Sequence, residues 1–274
     1  MKKRLIAVLL LMALALTGCQ PNNNPPISGG RPDVNDNIGN DDTTFGDDLK
    51  DLGAFDGFFE EETKDINITC VEGTPGAYKM EGSTLTFTTL TANSVYAITG
   101  KLSGNIVIDI GEEFDLELEL SGFSLVSEND NPITVLSGDE VTIQAKKDTK
   151  SFIYDTRGSI PTDDAEALSG AIHSDVDLEI SGKGSLTVVS ENNNGIHTKK
   201  DLQVKNLSLL VSCTDNALKG NDSVSLENAN VTAIATAGDG IKTTNSDIST
   251  KGNQRGTVSV SGGKCDIYAA YSRE

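Results

Sequence analysis

Four side-chain oxygens recur at one place in a repeating pattern: Asn194, Asp215, Asn216 and Asp239 each stand just before a short apolar anchor. If the repeats stack, these oxygens come within one or two strand spacings of one another. That is chemistry suited to a hard cation such as calcium, which takes six to eight oxygen ligands. The same residues in stacked turns also form hydrogen-bonded ladders and Asx-turns that hold a bend. A second set, His173, His197, Lys219 and Lys242, lies two positions beyond the first residue of each anchor. Such a row would meet the carboxylates of an anionic polymer or pair with neighbouring acids. The two Lys are also the candidates for a base that removes a proton beside a uronate carboxylate. Against that role, a catalytic Lys should be desolvated and ringed by further cations, and no Arg cluster is evident. The two His lack a zinc-ligand spacing and, one repeat apart, are expected to stack.

The elements that place these residues are short strands. The anchors Ala171-Ile172-His173, Gly195-Ile196-His197, Ala217-Leu218-Lys219 and Gly240-Ile241-Lys242 follow one another at 24, 22 and 23 residues. Alternating strands follow the first three: Asp177-Leu178-Glu179-Ile180, Asp201-Leu202-Gln203-Val204 and Ser223-Val224-Ser225-Leu226. A fixed period in the low twenties without helical periodicity marks a stacked solenoid. The dense Leu framework of leucine-rich repeats is missing. The expected fold is therefore all-β, a right-handed single-stranded parallel β-helix whose coils stack about 4.8 Å apart. Leu178, Leu202 and Val224 should form one inward column, and Ile180, Val204 and Leu226 another. Strands over 66–130 alternate cleanly; the first are irregularly spaced, as an N-terminal β cap would be, and by Leu116 the chain is in register with the repeat. Residues 155–168 read as an insertion.

The chain opens with Lys2-Lys3-Arg4, an apolar run over 5–16 and then Leu16-Thr17-Gly18-Cys19. The run is too short for a membrane span and fits a secretory signal. Its ending resembles the bacterial lipobox, which implies cleavage before Cys19 and lipidation of that Cys. The expected organisation is a signal peptide over 1–18, a lipidated Cys and acidic linker over 19–64, and a β-helix over 65–274. Membrane contact would come through the lipid anchor alone, placing a monomeric lipoprotein at the bacterial cell surface.

Composition narrows the partners. Twenty-two Lys and Arg against 41 Asp and Glu give −19, and loss of Lys2, Lys3 and Arg4 takes the mature chain to −22. So acidic a protein argues against nucleic acid and suits cations or cation-bridged ligands. Cys70, Cys213 and Cys265 show no metal spacing and, with Cys213 and Cys265 falling at different coil positions, are expected as thiols. With no Trp and five Tyr, a flat aromatic platform for crystalline cellulose is poorly supplied; Tyr154, Tyr268 and Tyr271 are the available rings.

The order Ala171-Ile172-His173-Ser174, Gly195-Ile196-His197-Thr198-Lys199-Lys200-Asp201-Leu202, Ala217-Leu218-Lys219-Gly220-Asn221-Asp222, Gly238-Asp239-Gly240-Ile241-Lys242 resembles the clostridial cellulose-binding β-helix family, over residues 66–274. The resemblance implies a parallel β-helix related to polysaccharide lyases, calcium in the turns, and binding of cellulose and acidic plant polysaccharide. Family members continue with further coils where this chain ends at 269–274, so a truncated last coil is expected. Three functions follow: calcium-dependent, non-catalytic polysaccharide binding; a pectate-type lyase; or a scaffold or adhesin without a ligand.

Overall fold

The computed structural model describes residues 66–158 and 169–269. The expectations for 1–65, including the signal, Cys19 and the linker, lie outside them, as do Tyr271 and most of the insertion.

Alternation with period two puts every second residue on one face, and polar turns every few residues break most of the chain into strands of two to six residues. Three such strands make one coil, and equivalent strands of successive coils pair in parallel. The first stack runs through Ser94–Thr99, Leu116–Leu120, Glu140–Ala145, Asp177–Gly182 and Asp201–Lys205. The second runs through Lys101–Ser103, Ser124–Ser127, Lys150–Asp155, Ser185–Ser190 and Ser208–Cys213. The two then share Ser223–Ala235 and Thr257–Ala269, each long enough to serve both stacks. The third comprises Thr84–Phe87, Asn105–Asp109, Ile133–Ser137, Gly170–Ser174, Asn194–Thr198, Leu218–Gly220 and Ile241–Lys242. Two leading strands differ: Asn67–Glu72 and Tyr78–Glu81 pair antiparallel, with Ser94–Thr99 and Thr84–Phe87 respectively.

The inward columns carry the stability, since one coil alone has nothing to bury its apolar face against. Leu178 pairs with Leu202 and Leu202 with Val224, while Ile180, Val204 and Leu226 form the neighbouring column. Ile133, Ile172, Ile196 and Leu218 do the same in the third stack. All of these are at most 1% exposed. The anchors begin with Gly or Ala because the space is taken: a Cβ on Gly195 would lie 2.2 Å from Val211 Cγ1, and one on Gly240 2.1 Å from Ile267 Cγ2. At the far end Val258, Val260 and Ile267 continue the core columns but stay about half exposed. Cys70, Cys213 and Cys265 are free thiols, and burial pushes the Cys213 thiol up to about 12.

Candidate functional site

The outer face of the third stack gathers the second residue set. Its inward positions are filled by Ile172, Ile196, Leu218 and Ile241, so the next residue of each strand turns outward. In register these are Thr134, His173, His197, Lys219 and Lys242. Two residues further on, Asp175, Lys199 and Asn221 make a flanking row. Lys199 Nζ lies 2.8 Å from Asp175 Oδ1, and Lys242 Nζ lies 3.2 Å from Asp239 Oδ2. Lys199 and Lys242 are each 40% exposed at the side chain, and Lys219 is half-buried.

The histidines are placed differently from the lysines. His173 and His197 are 1% and 3% exposed, with ring centroids 5.1 Å apart. Their expected part as direct ligand contacts does not fit that burial: the rings form the floor of this face, beneath the more exposed lysines. Each ring is held by hydrogen bonds. His173 Nε2 donates to Asp175 Oδ1 at 3.1 Å, since a carboxylate only accepts. His197 Nε2 donates to Asn221 Oδ1 at 3.3 Å, leaving Nδ1 to accept from the Ser169 hydroxyl. Burial lowers the pKa of both rings, and the nearby Lys219 and His173 help bring His197 to about 3. The pair is neutral at pH 7. For Asp175 burial alone would raise the pKa, but Lys199 and His173 hold it below the usual carboxylate range.

The first residue set is divided by the fold. Asn194 and Asn216 are buried and point into a ladder. Asn194 Oδ1 accepts from both the backbone N–H of Asn216 at 3.1 Å and its side-chain amide at 2.8 Å. Asn216 Oδ1 accepts from the backbone N–H of Asp239 at 3.0 Å, and Asn194 Nδ2 donates to the Ser169 carbonyl. These two amide oxygens therefore serve coil-to-coil bonds and do not fit a cation site. Asp215 and Asp239 are exposed, and Asp215 leans over the next turn: a Cβ on Gly238 would lie 2.7 Å from Asp215 Oδ1. Among the described residues no group of three or more His, Cys, Asp or Glu is placed to hold a metal ion.

Other polar features escape sequence reading. Asp155, fully buried, takes Arg157 Nε at 2.7 Å and its terminal nitrogen at 2.6 Å, together with the Ser190 hydroxyl at 3.0 Å. Arg157 also donates to the Gly170 carbonyl at 3.1 Å, tying the two roots of the insertion together. The pattern offered no signal for this, because an Asp and an Arg two apart at the edge of an acidic segment look solvated. Lys199 could have been found by register, since it follows His197 as Asp175 follows His173. Tyr154 is buried with its hydroxyl on Glu191, and burial raises its pKa, so it is no open platform; Tyr268 is 39% exposed. On the outer face of the first stack, burial and mutual repulsion among acids raise the pKa values of Glu117, Glu140 and Asp177. The cations of the third stack thus stand apart from an acidic sheet.

A family model described as carbohydrate-binding domain-containing protein matches residues 81–272. A protein of Acetivibrio thermocellus with the same description is 32% identical over 205 residues, which make up 74% of this chain and 62% of the relative. The chain thus spans less than two thirds of that relative's length. A solved polysaccharide lyase-like protein from C. thermocellum, in a gadolinium derivative, superposes with a TM-score of 0.62 at 28% identity, covering 74% of this chain and 82% of the other.

Proposed function

The chain belongs to the family of carbohydrate-binding domain-containing proteins, and from that premise we propose that it binds an acidic cell-wall polysaccharide along the outer face of the third stack without cleaving it. The observation that carries this reading is the pair Lys219 and Lys242, in register on consecutive coils, with Lys199 in the flanking row one coil before, on a protein of net charge −19. Coils about 4.8 Å apart present charges at a spacing close to the rise of an extended 1,4-linked hexose chain. A uronate polymer lying parallel to the coil axis would meet one side chain per sugar. Neutral cellulose offers these lysines no charge, so the acidic polymer is the preferred ligand.

Calcium enters this reading only through Asp215 and Asp239. Two exposed carboxylates fall short of six to eight oxygens, so carboxylates or hydroxyls of the polymer and water would complete the shell. The alternative activity, a pectate-type lyase with Lys219 or Lys242 as base, is favoured by the lyase-like description of the structural neighbour. Calorimetry with polygalacturonate, with and without calcium, separates the readings. Binding without release of an unsaturated, ultraviolet-absorbing product supports the proposal; product formation establishes the lyase, and no binding under either condition leaves the scaffold.

We place the protein at the bacterial surface through a lipid on Cys19, on the strength of the Leu16-Thr17-Gly18-Cys19 segment. Palmitate labelling should mark the wild-type chain and not Cys19→Ala; equal labelling of both would refute the anchor.

A further inference from the structure

The flanking row of Asp175, Lys199 and Asn221 is mixed in character: an acid, a base and an amide on consecutive coils. It is stacked by backbone bonds from the Lys199 N–H to the Ser174 carbonyl and from the Asn221 N–H to the Thr198 carbonyl. Its first and last members are held from below. The buried His173 donates Nε2–H to Asp175 Oδ1 at 3.1 Å, and the buried His197 donates Nε2–H to Asn221 Oδ1 at 3.3 Å. Lys199 Nζ also lies against Asp175 Oδ1, at 2.8 Å. The floor therefore occupies one polar atom of each residue.

The second polar atom of each is left over. Among the described residues none hydrogen-bonds Asp175 Oδ2 or Asn221 Nδ2. Both side chains are only part buried, that of Asp175 being 34% exposed. Asp175 Oδ2 is an acceptor that cannot donate, and Asn221 Nδ2 is a donor that cannot accept. Lys199 adds an ammonium with three donors beside the carboxylate. An acceptor and a donor side by side are the complement of a vicinal diol, in which one hydroxyl gives its proton and the next receives one.

A 1,4-linked uronate carries its carboxylate on one edge of the ring and its O2 and O3 hydroxyls on the other. The flanking row stands two residues beyond the column of Lys219 and Lys242, about 7 Å along an extended chain, a gap that a sugar ring can bridge. We infer that Asp175, Lys199 and Asn221 read the hydroxyl edge of the bound polymer. A sugar O–H donates to Asp175 Oδ2, the neighbouring hydroxyl oxygen accepts from Lys199 Nζ, and Asn221 Nδ2 donates to a hydroxyl oxygen two coils on. Asp175 is then a specificity-determining residue, because a sugar that does not present this diol leaves its carboxylate unpaired. This assignment rests on the proposed binding of a polymer along the third stack.

The sign of one substitution tests it. By charge alone, loss of an acid from this face should strengthen the binding of a polyanion. Asp175→Asn keeps an Oδ1 for His173 but puts an N–H donor where the hydroxyl acceptor was. Calorimetry at fixed ionic strength on the full chain compares polygalacturonate with the same polymer after reduction of its carboxyl groups to primary alcohols. Asp175→Asn should weaken both ligands about tenfold. Glu81→Gln removes an acid that is 70% exposed and paired with Lys79 on the N-terminal strands, and should leave both unchanged. Polygalacturonate bound by Asp175→Asn as tightly as by the wild type, or more tightly, overturns the inference and leaves the lysine reading standing. Equal wild-type affinity for the two polymers, with both lost in Asp175→Asn, refutes binding by charge and keeps the hydroxyl row. Absence of binding to either polymer refutes both.

Discussion

Replacing Asp155 with Ala should destabilise the protein by about 3–5 kcal/mol, among the largest losses open to a single substitution here. The Asp155 side chain is fully buried and that of Arg157 only 4% exposed. Removal of the carboxylate therefore takes two charge-assisted hydrogen bonds from a buried guanidinium. It also strips acceptors from the Arg157 backbone N–H and from the Ser190 hydroxyl. The cost belongs to the buried guanidinium that loses this carboxylate more than to the pair itself, so Asp155→Leu combined with Arg157→Met should recover much of the loss. Urea unfolding followed by circular dichroism gives the answer. A midpoint for Asp155→Ala equal to that of the wild type would show that water reaches Arg157 and that the insertion roots are not pinned by this pair.

Acid should weaken the fold through the histidine floor. The His197 pKa falls from 6.5 unfolded to about 3 folded, and that of His173 moves in the same direction. Between those values the unfolded chain takes up a proton that the folded chain refuses. Stability present above pH 6.5 is therefore lost as pH falls, by about 2 kcal/mol at pH 5 and about 4 kcal/mol at pH 3 for His197 alone. The groups facing the pair are Asp175, Lys199 and Lys219. Glu117, Glu140 and Asp177 work the other way: their raised pKa values mean that the folded state takes protons first as pH drops. Comparison with His197→Gln isolates the histidine contribution. The urea midpoint should drop between pH 7 and pH 5 in the wild type, and clearly less in the variant. Equal drops in both would assign the acid response elsewhere.

The stacked architecture was legible because its period is written in small and apolar residues together. The spacing of the anchors fixes which residues lie above one another, and the registers Leu178 to Leu202 to Val224 and His173 to His197 to Lys219 follow from it. Period alone does not say which way a corner residue points. Asn194 and Asn216 turn inward to bond the next coil, while Asp215, one residue before Asn216, turns outward; no alternation rule separates neighbours in a turn. The burial of the histidines was equally hidden, since outward-facing positions on a sheet are normally wet. Arg157 on the Gly170 carbonyl and the Ser190 hydroxyl on Asp155 join residues on either side of the insertion, and contacts across an insertion leave no periodic trace.

The central claim is that the lysine row on the third stack binds an acidic polymer by charge. The most direct test is the affinity for polygalacturonate, across a series of salt concentrations, of the wild type and of Lys199→Gln, Lys219→Gln, Lys242→Gln combined. Lys146→Gln with Lys205→Gln on the acidic sheet serves as the control for a change in net charge. With each exposed charge pair contributing up to about 0.7 kcal/mol, the triple variant should bind about thirtyfold more weakly. The wild type should lose affinity as salt rises while the control behaves like the wild type. A triple variant that binds as tightly as the wild type, or wild-type binding indifferent to salt, would contradict the account.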